Sequence, residues 1–269
     1  MPSHFSTIGF PIESEDDMYE LAAKASESAE EIACESGRYL KWSSPEGAQL
    51  WLQVDGDNDL VGMTPSFSGE SVMAVNITHE VIRSGDSPFE GAVHGWVNPD
   101  DTGSGDYPFI FDLVDKAQYG ALEYPFISEV TLSAFAHELT VYDSEEEYDA
   151  VESDEPKFAV ESFIPAGLFT EEDPATEEHA EPQSFAVFTG RILKQRECTN
   201  PLSGAGYHWA LVKTLGGTID LVIDPELVEK PLKVGGVVSG YFWLNGKIQT
   251  PKKLEPLKKS GFISRLFSR

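Results

Sequence analysis

Short apolar segments separated by turn residues fill most of this chain, and they constrain its fold more than any other feature. They include RYLKW, AQLWLQV and LVGMTPSF before residue 69, and VMAVNITHEVI, GAVHGWV and PFIFDLV between residues 72 and 169. Clusters of glycine, aspartate and proline such as NPDDTGSGDYP divide them, as in strands joined by turns. Residues 184–250 add four or five strands at the spacing of a small closed barrel. The sequence therefore predicts a β-rich fold.

One segment near the N-terminus has a helical pattern instead. Ser14 offers an N-cap with Asp17 at the capping-box position, and apolar residues recur at three- and four-residue spacing over 18–33. We expect this helix to run to about Glu35. The segment FSTIGFPI, residues 5–12, predicts a strand before it. The predicted fold class is thus α+β and β-rich, with the order β-α-β-β-β at its start.

The order β-α-β-β-β over residues 5–68 resembles one module of the vicinal-oxygen-chelate (glyoxalase-like) superfamily. The resemblance is carried by TIGFPIESEDD, which enters the helix, and by GRYLKWSSPEGAQLWLQVD, the hairpin. Together these cover about a quarter of the chain. The resemblance implies a metal-ligating His near the start of the first strand and a Glu on the last strand. Thr7 stands where that His would be, and LVGMTPSF contains no carboxylate.

Residues 184–250 resemble an OB-fold barrel through their strand spacing and the pattern FTGRIL…GGVVSGYFWLNG. The resemblance implies a module that binds single-stranded nucleic acid or oligosaccharide. The basic side chains could hold phosphates and the aromatic ones could stack on bases. These candidates are Arg191, Lys194, Arg196, Tyr207, Trp209, Lys213, Tyr241 and Trp243. In the alternative interpretation, the aromatic residues fill the interior of the barrel.

Charge is divided unevenly along the chain, whose formal net charge is -27. Residues 183–269 hold 13 Lys and Arg against six Asp and Glu, whereas residues 1–182 hold six against 40. Either the basic part packs on the acidic part, or it meets an external polyanion. The overall charge disfavours nucleic acid as the partner.

The acidic, proline-containing segment TEEDPATEEHAEPQ predicts a joint between two parts of the chain. We expect an acidic α+β domain over 1–170, with β-α-β-β-β at 5–68 and mostly strands over 72–169. An acidic linker over 171–183, an OB-like barrel over 184–250 and a basic tail over 251–269 follow.

Three histidines on separate predicted strands, His79, His94 and His137, are the candidate metal ligands. Adjacent residues of a strand point to opposite faces, so a site would need ligands from different strands. The alternative is three histidines with ordinary hydrogen bonds. A divalent metal is the one cofactor that the sequence leaves open, since it contains neither a phosphate-binding glycine loop nor a nucleophile elbow.

The first functional hypothesis is therefore a non-catalytic binding or interaction protein that recognises a protein or peptide through its acidic region. The alternatives are a metal-dependent glyoxalase-like enzyme that uses His79, His94 and His137, and an OB-type binder of single-stranded nucleic acid. No apolar stretch approaches the length of a membrane span, and the N-terminus MPSHFSTIGF lacks the pattern of a signal peptide. We expect a soluble, cytoplasmic protein.

Overall fold

The computed structural model describes residues 3–152, 157–168 and 181–249. The predicted linker over 171–183 lies outside the described residues except for its last three, and the predicted basic tail over 251–269 lies outside them entirely. No helix within these ranges is both long enough and apolar enough to cross a bilayer.

The N-terminal helix α1 spans Glu15–Ser26 and begins with the predicted cap. The Ser14 side chain accepts the backbone N–H of Asp17, and the Asp17 carboxylate accepts the N–H of Ser14. This capping box satisfies two backbone donors at the helix start. The predicted continuation of the helix to about Glu35 is wrong. Strand β1, Glu30–Cys34, lies there instead, because its backbone groups pair with the next strand rather than within a helical turn.

The predicted strand over residues 5–12 is also wrong. Ser6–Ile8 form a 3-10 turn that ends at Gly9, whose φ of 80° lies in the left-handed region that glycine adopts easily. The Asn200 side chain donates to the backbone carbonyl of Ile8 at 2.8 Å and holds this turn against a later loop. The strand that opens a β-α-β-β-β module is therefore a turn here, and a helix followed by four strands takes its place.

A four-stranded antiparallel sheet follows α1 in simple chain order. Its strands are β1, β2 Gly37–Ser43, β3 Ala48–Asp55 and β4 Leu60–Phe67. Both faces of β3 are buried. Leu50 and Leu52 belong to the apolar cluster that includes α1. The opposite face carries the alternate residues Gln49, Trp51 and Gln53.

A larger mixed sheet contains the remaining strands and confirms the β-rich α+β class. Its strands are β5 Met73–Val81, β6 Ala92–Val97, β7 Pro108–Leu113, β8 Phe126–Tyr142, β9 Ser162–Ile164, β10 Phe185–Thr199, β11 Gly206–Thr214, β12 Gly217–Ile223 and β13 Val237–Ile248. A short helix, α2 Glu145–Ala150, follows β8.

Five of these strands close into a ring of pairings, in the order β10, β11, β12, β8, β13 and back to β10. The pairing of β12 with β8 is parallel, and the other four pairings are antiparallel. Four of the strands come from residues 184–250, and β8 comes from the preceding part of the chain. Phe188 and Phe242 stack in the main apolar cluster, with ring centroids 3.9 Å apart.

Candidate functional site

Five of the seven Lys and Arg side chains in residues 184–249 form ion pairs with acids from residues 1–170. Arg191 pairs with Glu145, and Lys213 lies 3.3 Å from Glu161. Further pairs join Lys194 to Glu70, Lys230 to Glu147 and Lys233 to Asp143. The basic part therefore lies against the acidic part of the same chain, which is the first of the two interpretations that its charge allowed.

The aromatic candidates of the same segment are mostly buried. Trp209 is 2% exposed, donates its indole N–H to Asp220 at 2.9 Å, and lies 4.2 Å below the guanidinium of Arg196. Tyr207 and Trp243 are also buried. Among the four, only Tyr241 is half-buried, and its ring stacks on Phe185 with centroids 5.1 Å apart. Three of the four candidate stacking residues thus present no open ring face.

The three candidate metal ligands do not converge. His79 and His94 stack with centroids 4.7 Å apart, and both contact the hydroxyl of Thr78. The pairing of Ile77 with Phe126 places His79 beside the start of β8, whereas His137 lies eleven residues further along that strand. Within the described residues, no group of three His, Cys, Asp or Glu side chains has the arrangement to hold a metal ion.

His137 instead pairs with His4, a residue that the sequence reasoning did not select. Their Nε2 atoms are 2.7 Å apart, so one ring donates and the other accepts. The His4 ring also stacks on Trp243 with centroids 4.1 Å apart. Burial, with a smaller contribution from the neighbouring His137, lowers the pKa of His4 to about 4.

A polar cavity of about 140 Å³ lies between the two sheets, and we call it the intersheet cavity. The residues that line it include Gln53, Thr64, Arg83, Asp86, Phe89, Glu90, Asp112, Trp243 and Asn245. Arg83 donates to Asp112 at 2.8 Å and to Ser184 at 2.9 Å. The other oxygen of Asp112 accepts the indole N–H of Trp243 at 2.6 Å. This network fixes one wall of the cavity.

Asn245, two residues after Trp243 on β13, also lines the cavity and is 1% exposed. Its Oδ1 accepts the hydroxyl of Ser66 at 3.1 Å, but its Nδ2 has no hydrogen-bond partner within the described part of the chain. Asp86 also lines the cavity, and burial raises the pKa of its carboxyl above the usual range. Among the described residues, the cavity therefore offers an amide donor without a partner and a carboxyl group whose charged form is disfavoured by burial.

A half-buried lysine lies near the same interface. Lys247 follows Asn245 by two residues, so both side chains leave the same face of β13. Its ammonium group donates to Gln49 at 2.5 Å and lies 4.7 Å from the centroid of the Trp51 ring. Burial lowers the pKa of Lys247 to about 8, although the Asp115 carboxylate opposes this shift.

A second concave surface, the α1–β4 groove, has an apolar floor. It has a volume of about 200 Å³ and is lined by Glu15, Met18, Tyr19, Leu60, Val61, Gly62 and Met63. Tyr19 is 62% exposed, and Met18, Leu60 and Val61 are exposed as well. Exposed acids surround α1, namely Glu13, Glu15, Asp16, Glu20 and Glu27. The groove thus combines accessible apolar surface with one carboxylate in its lining, that of Glu15.

Sequence reasoning missed both concave surfaces, although a signal for each is present. Polar residues at alternate positions of otherwise apolar strands, such as Gln49 and Gln53 on β3 and Asn245 on β13, indicate a buried polar face. Met18 and Tyr19 precede the buried stripe of α1 and lie outside it. In comparisons with known proteins, neither a family model nor a curated protein matches this chain.

Proposed function

We propose that this protein is a non-catalytic binding protein that recognises a basic protein or peptide. The observation that carries the proposal is the α1–β4 groove, where exposed apolar side chains lie beside the Glu15 carboxylate, on a helix that exposes further acids elsewhere on its surface. Accessible apolar patches with a polar rim are typical of protein-binding surfaces. An amphipathic basic segment matches both features, since its apolar side would cover the floor and its Lys or Arg would meet Glu15 and the other exposed acids of α1.

The charge of the chain supports a cationic partner. Asp and Glu number 46 and Lys and Arg number 19, so 27 acids would remain unneutralised even if every base formed its own ion pair. The resulting electrostatic field attracts a basic partner and speeds its association with the protein. Salt screens this field. Binding should therefore be salt-sensitive.

The two other hypotheses have less support. The paired side chains of Arg191, Lys194 and Lys213 are already engaged with acids of the chain, which weakens the case for nucleic acid. His137 lies apart from His79 and His94, which weakens the case for a three-histidine metal enzyme. In our proposal the ring formed by β8 and β10–β13 is an OB-like barrel that serves as a scaffold.

The test measures fluorescence anisotropy of a labelled amphipathic helical peptide made of Leu and Lys, at low and high salt. The groove variant carries Met18→Ser and Leu60→Ser. The matched control carries Ile82→Ser and Val234→Ser, which remove exposed apolar residues outside the groove lining. We expect salt-sensitive binding that the groove variant weakens by about tenfold or more, while the control binds like the unmodified protein. Equal affinity of the two variants, or no binding by the unmodified protein, would overturn the proposal.

A further inference from the structure

We propose that the intersheet cavity binds a small ammonium compound that carries an uncharged oxygen acceptor, such as an amino amide. The proposal is independent of the α1–β4 groove, because none of the residues that line the groove also lines the cavity. It rests on three features of the cavity: a buried amide without a partner, an excess of carboxylate, and a restricted volume.

The amide of Asn245 defines the acceptor end of the ligand. The residue is almost completely buried, and the Ser66 hydroxyl occupies its Oδ1 and fixes its orientation. Its Nδ2 has no partner among the residues that the structure describes. A buried donor without an acceptor is costly, so an oxygen placed by a ligand would gain a hydrogen bond that the protein leaves unformed.

Carboxylates define the cationic end. Asp112 is already satisfied, since Arg83 neutralises it and Ser184 and Trp243 also donate to it. Asp86 and Glu90 also line the cavity, and no salt bridge among the described residues joins either of them to a Lys or Arg. The Arg83 charge, which acts on Asp86, is already paired with Asp112. An ammonium group is therefore favoured in this cavity, and an added carboxylate is disfavoured.

The volume limits the size of the ligand. About 140 Å³ is roughly ten times the space that one water molecule requires in a cavity, and it is below the range typical of drug-sized ligands. A molecule with a few non-hydrogen atoms fits this space. Glycinamide has the required ammonium group and amide oxygen, whereas acetamide lacks the charge and glycine adds a carboxylate.

The experiment titrates the full chain with glycinamide, acetamide and glycine, and follows binding by calorimetry and by ligand-observed NMR. We expect saturable binding of glycinamide and binding of the other two compounds that is weaker by about tenfold or more. Asn245→Leu and Asp86→Asn should each weaken the binding of glycinamide. The control Gln195→Leu, which removes an exposed amide on β10, should not.

Several results would overturn the inference. If glycinamide does not saturate the unmodified protein, the cavity holds solvent only. If acetamide binds equally well, the carboxylates do not recognise a cation. If Asn245→Leu fails to fold, the affinity of Asp86→Asn for glycinamide tests the site instead. Asp86 lies nearer the surface than Asn245, so its substitution disturbs folding less. Unchanged affinity in Asp86→Asn would then contradict the proposed site.

Discussion

The contact of His4 with His137 and Trp243 makes the stability of the fold dependent on pH. The Nε2 atoms of the two histidines are 2.7 Å apart, so protonation of both rings would break the hydrogen bond and place two charges together. Burial lowers the pKa of His4 from 6.5 to about 4 in the folded protein. As the pH falls below 6.5, the unfolded chain therefore takes up a proton that the folded chain does not.

The size of the pH-dependent loss in the free energy of unfolding follows from this difference in pKa. Stability from the neutral His4 is fully present above the unfolded value of 6.5, is lost as the pH falls towards about 4, and does not change further below that. The complete loss is about 3 kcal/mol, of which about 2 kcal/mol falls between about pH 7.5 and about pH 5. His4→Phe keeps an aromatic ring against Trp243 and removes the titration.

The assay is urea unfolding of the unmodified protein and of His4→Phe at these two pH values. Many carboxylates also titrate in this range, so the informative quantity is the difference between the two proteins. We expect the free energy of unfolding of His4→Phe to fall by about 2 kcal/mol less than that of the unmodified protein. Ile82→Ser leaves the histidine pair in place and should behave like the unmodified protein. An equal fall in His4→Phe and in the unmodified protein would contradict a pH dependence that originates at His4.

Two further predictions concern the interface between the sheets. Arg83→Met leaves the Asp112 carboxylate without its cation and should lower the free energy of unfolding by about 3 kcal/mol in urea, whereas Lys24→Met, which breaks an exposed pair, should cost less than about 1 kcal/mol. A similar loss in both variants would contradict this account. Lys247→Met should remove a gain in stability between about pH 8 and about pH 10, because folded Lys247 releases its proton at a lower pH than unfolded Lys247. The measurement is urea unfolding across that pH range. If the free energy of unfolding of Lys247→Met still rises there, the gain does not come from Lys247.

Local sequence patterns predicted individual strands better than they predicted which segments pair with each other. The apolar segments AQLWLQV and VVSGYFWLNGKI were identified correctly as strands, because their length, composition and flanking turns are local properties. The apolar repeat through Ile32 and Ala33 fitted a helix, yet these residues pair with Tyr39 and Arg38 in a strand. Tertiary pairing therefore overrode the local helical pattern at the end of α1.

The closure of the barrel segment could not be predicted from local signals. Strand β8 pairs in parallel with β12, and nearly ninety residues separate Ser133 from its partner Asp220. No turn or spacing pattern specifies such a distant pairing. The same limit applies to the site: the alternate polar residues of β3 and β13 were visible, but their meeting across the intersheet cavity depends on how the two sheets pack.

In the proposed function, the free negative surface, and not the basic part of the barrel, selects the partner. The most direct test is a comparison of two labelled probes on the full chain at low and high salt: the amphipathic Leu and Lys peptide, and a single-stranded oligonucleotide. We expect salt-sensitive binding of the peptide that depends on Met18 and Leu60, with no comparable binding of the oligonucleotide. Tighter binding of the oligonucleotide than of the peptide would contradict the proposed function.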